Sequence, residues 1–173
     1  IPLASTARYN GNRSSQRSML EEMLEETPKS MQPDVLGEPD IDLLARLPFK
    51  EDDTIPNGSS IAFLAEYEDV YDGDRKKSVI FCGDAHSKVL EQSIALLLAD
   101  RGAAQLKIDA LKVSHHGSKA NTSTDLLKML RCRHFLFSTN GSRHDHPDAE
   151  CIARILTLND MKKDLHFNYR SNE

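Results

Sequence analysis

The 173-residue sequence predicts an α/β fold, and three observations carry that expectation. Short apolar runs at 61–65, 78–82, 108–113 and 135–137 read as strands. Apolar side chains between them recur at helical spacing. The two patterns alternate in the order ββαβαβαβ, which is how an α/β layered sandwich is written in sequence.

Taken in order, the N-terminal third is the least regular. Residues 10–17 are polar and contain a glycine, as a loop does. Ser18 and Glu21 form a capping box that opens a helix through Met19, Leu20, Met23 and Leu24, stopping before Pro28. Pro28, Pro33, Gly37 and Pro39 then break the backbone repeatedly. Residues 41–47 suit a short helical turn ahead of Pro48. Glu51, Asp52 and Asp53 read as a solvated acidic loop, with metal binding a distant alternative. On this pattern residues 1–55 are an insertion or linker with a short helix, and 56–173 form the regular domain.

From Ser59 the pattern tightens. The strand at 61–65 and the strand at 78–82 are joined by a hairpin turn at Asp72-Gly73-Asp74. Both are apolar on successive residues, so both faces are expected to be covered. Val89, Leu90, Ile94, Leu97 and Leu98 make a helix ending near Gly102. After the strand at 108–113, Leu126, Leu127, Met129 and Leu130 suit a helix capped by Asn121 or Thr122. Pro147 is placed for the first position of a helix carrying Cys151, Ile152, Ile155 and Leu156. A last strand is expected at 165–169.

Composition narrows the function classes. The net charge of −5 gives no global basic field for nucleic acid, leaving only a local groove for it. Cys82, Cys132 and Cys151 lie far apart without a CxxC pair, which fits a reducing cytoplasm better than a disulfide scaffold. No apolar run approaches the roughly 20 residues of a membrane span. The chain opens on Ile1, read as a cut end. Neither a Gly-x-Ser-x-Gly elbow nor a Gly-x4-Gly-Lys phosphate loop is present, which lowers serine-hydrolase and nucleoside-triphosphatase readings.

The chemistry-bearing residues follow the strands. Gly83-Asp84 ends one strand; an aspartate there serves as a metal ligand or as a simple turn residue. His86 alone reads as a structural imidazole. His115-His116-Gly117-Ser118 ends the next strand, where Gly117 allows a sharp turn and Ser118 can bond an anion. Adjacent residues on a strand point to opposite faces, so only one histidine faces a metal unless the strand ends there. His144 and His146 sit on an extended loop entering a helix, whose positive end disfavours the imidazolium. A neutral His146 could ligate metal, accept a proton or merely cap the helix. Residues 138–143 offer hydroxyls, the amide of Asn140 and the guanidinium of Arg143, a set suited to anion recognition and equally common in polar turns.

Together these segments resemble the C-terminal half of a metallo-β-lactamase-fold hydrolase, in the branch of the competence DNA-uptake channel proteins and their stand-alone relatives. Asn57-Gly58-Ser59-Ser60-Ile61 resembles that branch's Asn-x-x-Ser strand entry, and Ile80-Phe81-Cys82-Gly83-Asp84 its strand ending in Gly-Asp. Leu111-Lys112-Val113-Ser114-His115-His116-Gly117-Ser118 is similar to its Leu-Lys-Val-x-His-His-Gly-Ser signature. His144-Asp145-His146-Pro147 resembles its His-Pro-His-Pro, with Asp145 in place of the first proline. The likeness spans roughly residues 55–158.

The resemblance implies half of an αββα sandwich and part of a binuclear phosphodiesterase or nuclease. It implies two divalent ions, zinc first and manganese second. Asp84 would bridge them and His115 would ligate the second, with His116 the less favoured choice. His144 and His146 would contact substrate phosphate or shuttle a proton, while His116, Ser118, Asn140 and Arg143 would bind substrate. The family's His-x-His-x-Asp-His motif and its next single histidine do not occur here. The implied partner is therefore an N-terminal half on the same gene product or a separate chain, with nucleic acid or a nucleotide as substrate. Two other readings stay open: a non-catalytic module that keeps the fold, and a hydrolase of small esters or lactams.

Overall fold

The computed structural model describes residues 39–169 apart from Val70, Asp72, Asp74 and Arg143. The loop at 10–17, the helix expected after Ser18 and most of the hairpin turn lie outside the described residues.

The chain builds a mixed α/β fold on a mostly parallel five-stranded sheet. After the short helices α1 (Ile41–Arg46) and α2 (Ile55–Gly58), β1 (Phe63–Asp69) pairs antiparallel with β2 (Arg75–Phe81). Helix α3 (Ser87–Arg101) leads to β3 (Leu106–Lys107) and β4 (Ala110–Lys112), and α4 (Thr124–Lys128) to β5 (Leu130–Arg131) and β6 (His134–Phe137). Helix α5 (Ala149–Thr157) and β7 (Asp164–Phe167) close the chain. The sheet runs β1-β2-β4-β6-β7, with β2, β4, β6 and β7 parallel; β3 and β5 form a separate two-stranded pair.

Register explains the core. Leu64, Ile80, Leu111, Phe135 and Leu165 stand side by side across the five strands. Ile80, Leu111 and Phe135 join Leu90, Ile94 and Leu98 of α3, Leu126 and Leu127 of α4, and Cys151, Ile152 and Ile155 of α5 in one buried cluster. The adjacent row is Phe63, Phe81, Lys112, Leu136 and His166, on the opposite face because side chains alternate along a strand. That row is half-buried or exposed throughout, with the stacked rings of Phe63 and Phe81 54% and 38% exposed. The expectation that both faces are covered therefore holds for one face only. Successive apolar residues mark strands that can be covered twice; they do not supply the second cover.

Local chemistry sets the helix ends. Gly102 takes the left-handed conformation that stops α3, as the sequence predicts. Ser123 caps α4, its Oγ accepting the Leu126 N–H at 2.9 Å, in place of Asn121 or Thr122. Asp148 caps α5, so Pro147 lies just outside the helix and not at its first position. Near α5, Leu44 and Leu47 pack on Ala153, and the Arg154 guanidinium donates to the carbonyls of Lys119 and Thr122 at 2.7 and 3.1 Å. The three cysteines are buried and free, and burial pushes each thiol up to about 12, where it is chemically quiet. Among the described residues no helix is long and apolar enough to cross a membrane.

Gly117 is the tightest point. At φ 94°, a Cβ there would stand 2.5 Å from Pro147 Cβ and 2.9 Å from the Phe137 ring. Gly117→Ala should lose on the order of 3 kcal/mol in urea unfolding, from strain and overpacking together. Gly102→Ala, where nothing lies within 4 Å, should lose only about 1 kcal/mol for its backbone conformation. Equal losses at the two glycines would contradict this packing.

Candidate functional site

Parallel strands end on the same edge of a sheet, so the loops that leave β2, β4 and β6 are gathered together, where α/β folds bind ligands. These loops carry Gly83-Asp84, His115-His116 and the segment 138–146. His115, His116, Ser138, Thr139, Asn140, His144 and His146 line one cleft of about 420 Å³.

A backbone turn brings the paired histidines to the same place. The strand stops at Lys112, and His115 and His116 both adopt left-handed conformations, φ 42° and 58°. The alternation that would send them to opposite faces has ended by then. The His115 N–H donates to the Gly83 carbonyl at 3.0 Å, which ties the turn to the end of β2. The Asp148 N–H donates to the Gly117 carbonyl at 3.0 Å, which ties it to α5. His146 and Pro147, joined by a cis peptide bond, lie between.

Each imidazole has a distinct setting. His116 Nδ1 donates to the Ser138 carbonyl at 2.5 Å, because a carbonyl can only accept. In the neutral ring Nε2 is then the nitrogen with the free lone pair, and it lies 3.9 Å from Asp84 Oδ1. The ring of His115 is 6.0 Å from that of His116 and 5.3 Å from that of His146. His144 stands 5.9 Å from His146. His146 Nδ1 is buried, 3.5 Å from Asp148 Oδ2, and among the described residues it makes no hydrogen bond. That carboxylate oxygen instead accepts the Lys119 N–H at 2.6 Å.

The structure thus sets His116, and not His115, beside Asp84, and it gathers His144, His146 and Asn140 into the same cleft. Ser118 is elsewhere: it is buried, and its hydroxyl accepts the Ala120 N–H at 3.2 Å. Arg143 lies outside the described residues. His86 is structural, with Nε2 donating to the Thr54 carbonyl at 3.0 Å.

Asp52 was hidden in the sequence. Far from being a solvated loop residue, its side chain is only 8% exposed and it packs behind the ring of His115. Burial works against its ionisation. Hydrogen bonds from Asn57 Nδ2 at 2.6 Å, the Thr54 N–H at 2.9 Å and Asn121 Nδ2 at 3.0 Å outweigh that, and hold the carboxyl well below the usual carboxylate range. Its Oδ2 lies 3.6 Å from His115 Nδ1. Neighbouring Glu51 accepts the Lys88 N–H at 2.7 Å at the start of α3, while Asp53 is exposed. An acidic triplet gives no periodic sign of which member turns inward.

Imidazole and carboxylate suit a borderline divalent ion. Their arrangement does not complete a site: among the described residues no group of three or more His, Cys, Asp or Glu side chains could hold a metal ion. No family model, curated protein or solved structure matches the chain.

The depressed pKa of Asp52 has a stability consequence. Folding favours its ionised form, so the stabilisation is complete above the unfolded value of about 4 and is lost as pH falls below it. Asp52→Asn should lower stability at neutral pH and flatten its decline in acid, measured by urea unfolding across that range. Parallel pH profiles for the two proteins would contradict it.

Proposed function

We propose that the chain is the C-terminal half of a metallo-β-lactamase-type sandwich and contributes to a binuclear metal-dependent hydrolase of phosphodiester bonds. Nucleic acid or a nucleotide is the substrate, and an N-terminal half supplies the other metal ligands. One observation carries this reading: four histidines from two loops surround one cleft, and one of them stands beside Asp84. The exposed, stacked rings of Phe63 and Phe81 at one end of the open row support a second sheet as the partner, since stacked sheets bury such side chains against each other. The free cysteines support a reducing, cytoplasmic setting.

In this reading Asp84 and the Nε2 of His116, 3.9 Å apart, would face the metals, with the remaining ligands coming from the N-terminal half. Two divalent ions, zinc or manganese, make water more acidic and neutralise phosphoryl charge when bound. This chain's residues do the rest. Asn140 and His144, on the outer wall, hold a phosphate oxygen, and His146 passes a proton to the leaving group. The acidic net charge suits nucleotides or single strands better than avid duplex binding, because phosphate contacts dominate that affinity.

A second reading, a module that keeps the fold without catalysis, is favoured by the absence of a three-donor group among the described residues. The two part on activity. The complete protein, with its N-terminal half, should hydrolyse bis(4-nitrophenyl) phosphate, and His144→Ala should reduce that rate by about 100-fold. A small thioester should be affected far less. No hydrolysis would leave the interaction module, and equal losses on both substrates would remove the phosphodiester assignment.

A further inference from the structure

Asn121 is fully buried, and its side-chain orientation is determined by what surrounds it. Its Nδ2 lies 3.0 Å from Asp52 Oδ2, 3.2 Å from the Asp84 carbonyl and 3.4 Å from the Ala85 carbonyl. All three are acceptors. A flipped amide would aim its oxygen at a carboxylate and two carbonyls, so the amide group must stand as drawn. Its Oδ1 is then the atom 3.1 Å from His115 Nδ1.

An acceptor at that distance calls for a proton on Nδ1. Asp52 adds to the demand, because its Oδ2 places negative charge 3.6 Å from the same nitrogen. One contact opposes it: Asn57 Nδ2 lies 3.3 Å from His115 Nδ1 and would prefer a bare nitrogen. One of that amide's two hydrogens is already committed to Asp52 Oδ2 at 2.6 Å. Asn121 Oδ1 is nearer than that donor, and the Asp52 carboxylate, though farther at 3.6 Å, adds full negative charge; together they outweigh the single N–H.

We infer that Asp52 and Asn121 are positioning residues that hold His115 in its Nδ1–H tautomer, so that the Nε2 lone pair is what the ring offers to the cleft. Asp52 is itself anchored to do this. Its own N–H donates to the Ala120 carbonyl at 3.0 Å, next to Asn121 in the chain, and its Oδ1 accepts the Thr54 N–H. A carboxylate or amide behind an imidazole is the usual means of fixing which nitrogen faces a ligand. His116 reaches the same tautomer by a different route, through the Ser138 carbonyl. Both histidines of the turn therefore present Nε2.

The tautomer assignment stands on this hydrogen-bond geometry alone; its use in catalysis rests on the hydrolase reading. The test is long-range proton–nitrogen NMR of the imidazoles in the full chain, at a pH well above the ordinary histidine range. His115 should show a protonated-type Nδ1 and a bare-type Nε2. Asp52→Asn should shift it toward averaged nitrogen signals, while Asn57→Ala, which removes the opposing donor, should leave the Nδ1–H pattern intact. An Nε2–H pattern in the parent chain, or a pattern that follows Asn57 and not Asp52, overturns the inference. The parent measurement needs no variant, so a misfolded substitution leaves the test in force. An Nδ1–H pattern in a protein without phosphodiesterase activity would sink the hydrolase reading and leave this one standing.

Discussion

The turn at His115-His116-Gly117 is the constraint on which the rest of the site depends. Three residues in succession adopt positive φ, and the third must be glycine because Pro147 and Phe137 leave no room for a Cβ. Strain of this kind persists only where neighbours over-determine it. Here they do so from both sides: the Gly83 carbonyl holds the start of the turn and the Asp148 N–H its end. The β2 loop, the β4 loop and the entrance to α5 are thereby brought to one point, and the histidine cleft is what lies between them. The helix-covered row of the sheet supplies a rigid base beneath it.

Much of this was legible from residue pattern. The apolar runs at 61–65, 78–82, 108–113 and 135–137 each overlap a strand of the main sheet, although β1 and β2 extend into charged residues. The loops after β4 and β6 carry the histidines that share the cleft. Strand ends are where a polar residue can leave the core while its backbone stays fixed, so chemistry and topology point to the same positions. The left-handed stop at Gly102 was equally plain, since few residues other than glycine tolerate it.

What sequence left hidden depends on long-range contact. Asp52 meets Asn121 across 69 positions, and no local period records that meeting. Asn121 reads as a helix cap because the same amide that caps a helix can satisfy buried carbonyls; Ser123, closer to the first turn, takes the cap and frees it. The placement of Pro147 shifted for a related reason. Asp148 sits at the cap position and commits its carboxylate to Lys119, so α5 starts at Ala149. The open face of the sheet does not follow from the strands' own pattern, because apolar strands look alike whether one side or two are covered; it is the likeness to half of a sandwich that implies it.

These elements give the proposed half-hydrolase a physical shape: a wall of Asp84 and His116, a positioned His115, an outer wall of Asn140 and His144 with His146 behind it, and an open sheet face awaiting a partner. The most direct test is metal content of the native protein by elemental analysis, with intact mass on the same sample. The proposal predicts about two zinc or manganese ions per unit, accompanied by a heavier or second polypeptide. A complete unit of that kind containing no metal would contradict it, and so would tight binding of two ions by this chain alone.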